Sequence, residues 1–463
     1  MTAAARLAAV VGALAVVLGA PAVALGHTLG SVYESRLPLE IYLAGAGITV
    51  ALSFAFVLLR DVRVEPAAED GRPFLPPAPL RYALRAVGLA GWLWILVQGV
   101  VGGRGEVDIA TVLVWIYTWV GVAIVSALVF PIWHWLDPFS TLHDIGAWIL
   151  RRVGFGGWDV AEYPARLGRW PAVAALVFLI WLEIVLRQGT GRPLFISVMG
   201  YTAYTVAMMA QFGRDTWRDN GEVFGVWFRI LNRLAPFALA DEDGRVRRRP
   251  LAGGLLERGW THADVAMVGL GTGSILFDGL SQTAPWYDVF GAPGAPALTL
   301  QLFAFLALIV GAALLLTRVV GLGATGAGLL PIAVGYLVAH YLTYLLVDGQ
   351  SIVAAVSDPL STGENLFGTS FFEPVSAFLP PGLVWTVQLV AVVGGHMLGA
   401  WGGHVAATRD AEANGHDGQA IRIRQVPLAV VMVALTTVTL WSLGQAVVVT
   451  PQDAAALTGL IPA

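Results

Sequence analysis

Four ionisable side chains stand inside stretches that are otherwise apolar: Glu183, Asp278, His340 and His396. A charge in hydrocarbon costs several kcal/mol unless it is paired or hydrated, so each of the four is a candidate for function. At 1.5 Å of rise per residue, Glu183 and Asp278 fall roughly 6–8 Å from the same end of their helices, His340 roughly 10 Å and His396 roughly 20 Å. The first three therefore share a layer. Two carboxylates and an imidazole at one depth are the oxygen and nitrogen donors that a divalent metal ion such as copper or zinc takes, with Asp278 and His340 as ligands and Glu183 beside them. The same residues have plainer roles open to them. Glu183 can pair with Arg187 four residues on, Asp278 can accept hydrogen bonds at a helix end, and His340 can bond to a carbonyl.

His340 sits in Ala339-His340-Tyr341-Leu342-Thr343-Tyr344, and Asp348-Gly349-Gln350 follows two turns on. An imidazole, a carboxylate and a carboxamide then occupy neighbouring turns that open on one surface. His396 and His404 are eight apart, roughly 12 Å along a helix, so one metal cannot take both. They either ligate different centres, such as metals or haems at two depths, or hydrogen-bond across helices. Near the N-terminus, Arg6 precedes an apolar stretch that Ala24-Leu25-Gly26 closes with the small–x–small pattern of a signal peptidase site. Cleavage there makes His27 the first residue, whose amino group and imidazole form a chelate suited to copper. The alternative is a retained first helix.

Composition sets the solvent. Of 463 residues 57% are hydrophobic and 13% charged, with a mean hydropathy of +0.72, whereas a soluble domain carries about 25% charged residues. With no Cys, thiolate metal sites, disulfides and cysteine nucleophiles are excluded. All 27 basic residues are Arg, which removes Schiff-base and phosphate-loop lysines, and a net charge of −4 gives no field for nucleic acid.

The elements that must position these side chains are long apolar helices. Continuous runs of about 20 residues fall at about 5–25, 38–60, 81–103, 108–133, 170–187, 194–211, 263–283, 297–317, 325–347, 383–407 and 427–448. The expected fold is an all-α polytopic transmembrane bundle of about ten spans once a signal segment at 1–26 is removed, or eleven if it is retained. Residues 27–463 form one integral membrane domain. With the N-terminus starting inside, 23 Arg fall on the cytoplasmic side and 4 outside, which puts the chain in the cell membrane with both mature termini outside. The 212–262 loop is then cytoplasmic, and 348–382 is an ordered outer loop without Arg. Segments 140–153 and 221–239 mix aromatic residues with Arg and read as interfacial amphipathic helices. Gly269-Leu-Gly271-Thr-Gly273-Ser274, inside a span, reads as a helix-packing stripe, and His262 with Asp264 as a helix cap.

Several short stretches resemble one known family: His27-Thr-Leu-Gly with Leu37-Pro-Leu-Glu-Ile-Tyr-Leu, Phe277-Asp278-Gly279, Ala339-His340-Tyr341 and Asp348-Gly349-Gln350. Ser357-Asp358-Pro359-Leu360, Asn365-Leu-Phe-Gly368-Thr369 and Gly395-His396 complete the set. Together they are similar to a bacterial and archaeal membrane-protein family labelled fenitrothion hydrolase, over residues 27 to about 410. The resemblance implies phosphotriester hydrolysis, in which a metal held by His340 and Asp278 activates water and Asp348 serves as general base. A small apolar substrate would reach such a site from the lipid bilayer. The competing expectation is a non-hydrolytic redox or transport component that handles copper, haem or protons, with a structural subunit of a larger assembly as a third.

Overall fold

The computed structural model describes residues 43–53 except 50, then 72–103, 108–154, 161–186, 192–291, 293–413 and 423–443. The expected leader at 1–26, His27, Arg187 and both chain ends lie outside the described residues.

The long helices are α1 (Ala78–Val101), α2 (Thr111–Leu128, mostly in the wider π form), α3 (Pro138–Arg152), α4 (Trp170–Ile184) and α5 (Arg192–Phe212). They continue with α6 (Val223–Leu231), α7 (His262–Ser281), α8 (Ala295–Val320), α9 (Leu322–Val347), α10 (Pro381–Ala413) and α11 (Val426–Leu443). The protein is all-α and suited to a membrane. Among the described residues seven helices are long and apolar enough to cross one: α1, α2, α5, α7, α8, α9 with its extension to Ser357, and α10. Three further expected spans hold shorter apolar helices, at Leu43–Ser53, α4 and α11.

Local sequence sets the boundaries. Proline opens α1, α3, α4 and α8 in the first turn, where its missing N–H removes no intrahelical bond. Gly321, at φ 93°, separates α8 from α9, a backbone conformation that a side chain would strain. Helices α7 and α9 are the most buried spans, whereas α1, α8 and α10 turn most of their apolar surface outward, exposing Val97, Val100, Leu300 and Leu308. The two central helices carry Asp278 and His340.

Glycine brings α9 and α10 into backbone contact. A Cβ placed on Gly335 would lie 2.5 Å from the Ala391 carbonyl oxygen, and one on Gly395 would lie 2.5 Å from that of Pro331. The expected Gly269–Ser274 stripe packs in the same way, with Gly269, Gly271 and Gly273 facing Val310, Trp227 and Leu306.

The segment between α5 and α7 corrects one expectation. The stretch between the spans carries short folded elements, and 221–239 is not one interfacial helix. Helix α6 stops at Leu231 with Val223, Phe224, Val226, Trp227, Phe228, Ile230 and Leu231 all buried. Beyond Pro236 the chain forms a hairpin, β1 (Phe237–Leu239) against antiparallel β2 (Val246–Arg248). The Arg residues that suggested an interface find partners inside the fold: Arg229 meets Asp219 at 3.1 Å. Arg233 donates to the Gly254 and Glu257 carbonyls over the Trp260 ring. Helix α3 matches its expectation, with Ile145, Trp148 and Ile149 exposed beside Arg151 and Arg152.

Candidate acid-base site

Helix α7 ends one turn beyond Asp278, and α9 runs antiparallel to α8 and ends two turns beyond His340, so both side chains sit near one end of the bundle. They meet. His340 Nε2 lies 2.8 Å from Asp278 Oδ2, and Gln282, one turn on from Asp278, donates to Oδ1 at 2.8 Å. The carboxylate is thus held through both oxygens. The pair is a quarter or less exposed, at 22% for His340 and 25% for Asp278.

The next residue of α9 makes a second pair. Tyr341 donates to Glu183 Oε1 of α4 at 2.9 Å, and the Trp119 indole of α2 is also directed at that carboxyl group. Glu183 and Asp278 are close enough to feel each other's charge. Four helices therefore bring two carboxylates, an imidazole, a phenol and an indole together in low-dielectric surroundings, where each carboxylate needs a donor and has one. The layer expected from helix depth is present, and Glu183 takes Tyr341 as a partner. Neither Tyr341 nor Gln282 was expected. The signal for Gln282 was its spacing of four from Asp278.

Asp348 and His396 do not join this group. Asp348 is exposed two turns past His340, at the start of the 3-10 turn Asp348–Ser351 and near Tyr344. His396 is wholly buried between helices, its Nδ1 donating to the Val392 carbonyl at 2.7 Å. Its neighbour Gly395 packs against the Pro331 carbonyl of α9. His404 Nδ1 donates to Gln425 Oε1 at 2.8 Å, the cross-helix bond that was the simpler alternative.

The donor set does not suit a metal. Among the described residues no three His, Asp or Glu side chains lie close enough to hold an ion together. His340 and Asp278 point their ligating atoms at each other, and Glu183 is turned to Tyr341. As arranged, these residues do not fit a divalent metal.

The loop at this end is ordered by the residues that carried the family resemblance. Gln350 bonds both the N–H and the carbonyl of Val375. Ser357 receives N–H groups from Phe367 and Thr369 and donates to Asn365, while Asp358 accepts from Thr362 and Gly363. Trp94 and Gln98 of α1 fasten the loop through the Pro359 carbonyl.

A second buried acidic pair lies where α2, α3, α5 and α6 meet. Asp137 caps α3, accepting from the Phe139 and Ser140 N–H groups and from the Ser140 hydroxyl. Glu222 caps α6, accepting from the Phe224 and Gly225 N–H groups, Trp133 Nε1 and Tyr201 Oη. Burial, and then the neighbouring Asp137 charge, push Glu222 up to about 7, and burial also raises Asp137. Nearby His134 is pushed down to about 4 by burial and then by the Arg218 charge. Each acid reads locally as an ordinary cap, so only the fold reveals that they adjoin.

No family model, curated protein or solved structure matches the chain.

Proposed function

We propose that the chain is a non-hydrolytic, proton-handling membrane protein whose Asp278–His340 pair takes up and releases protons at the outer surface. The observation that supports it is the 2.8 Å contact between the two side chains on the central helices, with Gln282 fixing the carboxylate. The contact gives the imidazole and the carboxylate a path along which one proton passes between them. With Nε2 committed to Asp278, Nδ1 is the nitrogen that exchanges the proton. The Tyr341–Glu183 pair alongside keeps the second carboxyl hydrogen-bonded while charge changes next to it. In this reading the bundle has ten crossings in the cell membrane, both mature ends face outward, and the Arg-rich 214–258 region faces the cytoplasm, in line with the Arg count.

A second reading follows from the family resemblance and is favoured by the apolar rim of the outer loop, where Leu366, Phe367, Phe371 and Phe378 are exposed. An aryl phosphotriester entering from lipid would meet His340 as general base. His340 removes a proton from water, the water oxygen bonds to phosphorus, and the aryl oxide leaves. A copper or zinc ion remains part of that resemblance only if the side chains rearrange to receive it.

Both readings are tested on the purified protein in liposomes, as the wild type and as Asp278→Asn and His340→Gln. Proton uptake under an imposed pH gradient, followed with a trapped dye and lost in both variants, is the expected result. Aryl-oxide release that depends on His340, without proton uptake, would select the second reading, and absence of both activities would reject the pair as a functional site.

A further inference from the structure

Deeper in the bundle, three buried polar atoms from three helices converge without a well-formed hydrogen bond: His396 Nε2 of α10, Tyr336 Oη of α9 and Thr439 Oγ1 of α11. Their side chains are nearly sealed, at 0%, 1% and 6% exposure. The Tyr336 and His396 ring centres are 5.7 Å apart, and the Tyr336 and Thr439 hydroxyls face each other.

Each atom has a reason to require a partner. The Val392 carbonyl accepts from His396 Nδ1, so Nδ1 carries the hydrogen and Nε2 presents a lone pair that needs a donor. Neighbouring Thr436 and Thr437 turn their hydroxyls back to the carbonyls four residues earlier, at 2.9 and 3.0 Å. The hydroxyl of Thr439 does not do so and is directed at Tyr336. Leaving one such group unsatisfied costs about 1–3 kcal/mol. The Tyr336 and Thr439 hydroxyls at best share one hydrogen bond between them, which leaves His396 Nε2 without a donor. Buried waters typically make about three hydrogen bonds to groups left unpaired, whereas a cavity stays dry when its walls are apolar.

We propose that a bound water occupies this junction, donating to His396 Nε2 and bonding the hydroxyls of Tyr336 and Thr439, and that it extends the polar path inward from His340. Tyr336 lies one helical turn from His340 on α9, and His404 lies about 12 Å beyond His396 on α10, so the junction stands between the acid-base pair and the opposite end. The relay rests on the proton-handling reading, whereas the water site does not. A proton from the His340 side bonds to the water oxygen as the O–H bond toward His396 breaks and that hydrogen bonds to Nε2, so the water stays neutral and the imidazole carries the charge as imidazolium until a proton leaves it toward the opposite end.

The water is tested by brief X-ray hydroxyl-radical labelling of the full-length protein in nanodiscs, read by mass spectrometry. Expected is modification of Tyr336 despite its burial, with exposed Tyr82 as the positive control and sealed Phe277 left unmodified. An unmodified Tyr336 overturns the water site. The relay is tested by proton uptake into liposomes, where His396→Leu should reduce the rate to that of empty liposomes and Tyr336→Phe, which removes one oxygen, should reduce it partly. Uptake unchanged in folded His396→Leu overturns the relay. Labelled Tyr336 in a wild type that takes up no protons leaves the water site standing and rejects the proton-handling function.

Discussion

Replacing Glu222 with Gln is expected to change how stability depends on pH, by an amount that follows from two buried groups of opposite effect. Glu222 moves from 4.5 to about 7 on folding, chiefly through burial and then the adjoining Asp137 charge. Between those values the folded chain keeps a proton that the unfolded chain has released, so stability falls as pH rises. At 1.36 kcal/mol per unit the loss is about 3 kcal/mol, complete above about pH 7. His134 works the other way. Burial lowers it from 6.5 to about 4, so the unfolded chain holds the extra proton in that window and stability rises with pH, again by about 3 kcal/mol. Between pH 5 and 6.5 these two slopes therefore oppose each other in the wild type. The Glu222→Gln substitution removes one of them. Thermal unfolding in nanodiscs, followed by tryptophan fluorescence, should show Glu222→Gln gaining stability from pH 5 to 6.5 and gaining on the wild type up to about pH 7. A difference between the two proteins that does not move with pH would refute the argument, since it would mean that Glu222 titrates alike folded and unfolded.

Asp264 is wholly buried, binds Arg169 through both oxygens at 2.7 and 2.8 Å, and closes the capping box of α7 with Thr261. Asp264→Ala should cost about 3–5 kcal/mol by stranding the guanidinium, and adding Arg169→Met should recover much of the loss in the same unfolding assay. At the α9–α10 contact, Gly395→Ala should cost about 1–3 kcal/mol by pressing Cβ onto the Pro331 carbonyl. Adjacent Gly394→Ala, whose Cβ meets nothing within 4 Å, should be neutral.

Depth was legible in the sequence because helical rise is fixed. Counting from helix ends placed Glu183, Asp278 and His340 in one layer, and two of them touch. Rotation about each axis and the choice of neighbours were not legible. Glu183 was four residues from Arg187 in the chain, yet Tyr341 of another helix supplies its hydrogen bond. The amphipathic reading of 221–239 failed for a related reason: Arg229 and Arg233 look solvent-directed when their partners, Asp219 and the Gly254 and Glu257 carbonyls, are not known to lie beside them. The Asp137–Glu222 pair was hidden because a helix cap has the same local sequence whether it stands alone or faces another acid.

The motifs behind the family resemblance divide by physical role. Asp278, His340 and His396 stand within spans, where a polar side chain must be hydrogen-bonded or hydrated, and two of these three form the acid-base pair. Gln350, Ser357, Asp358 and Asn365 instead saturate the backbone of a loop that has little regular structure to do so. Those bonds hold the loop against Trp94 and Gln98 of α1 while it turns Phe367 and Phe371 outward. A loop free to collapse would bury those rings. Fixing it open keeps an apolar rim at the end of the bundle where Asp278 and His340 meet, so the proposed function makes the loop residues responsible for what approaches the pair.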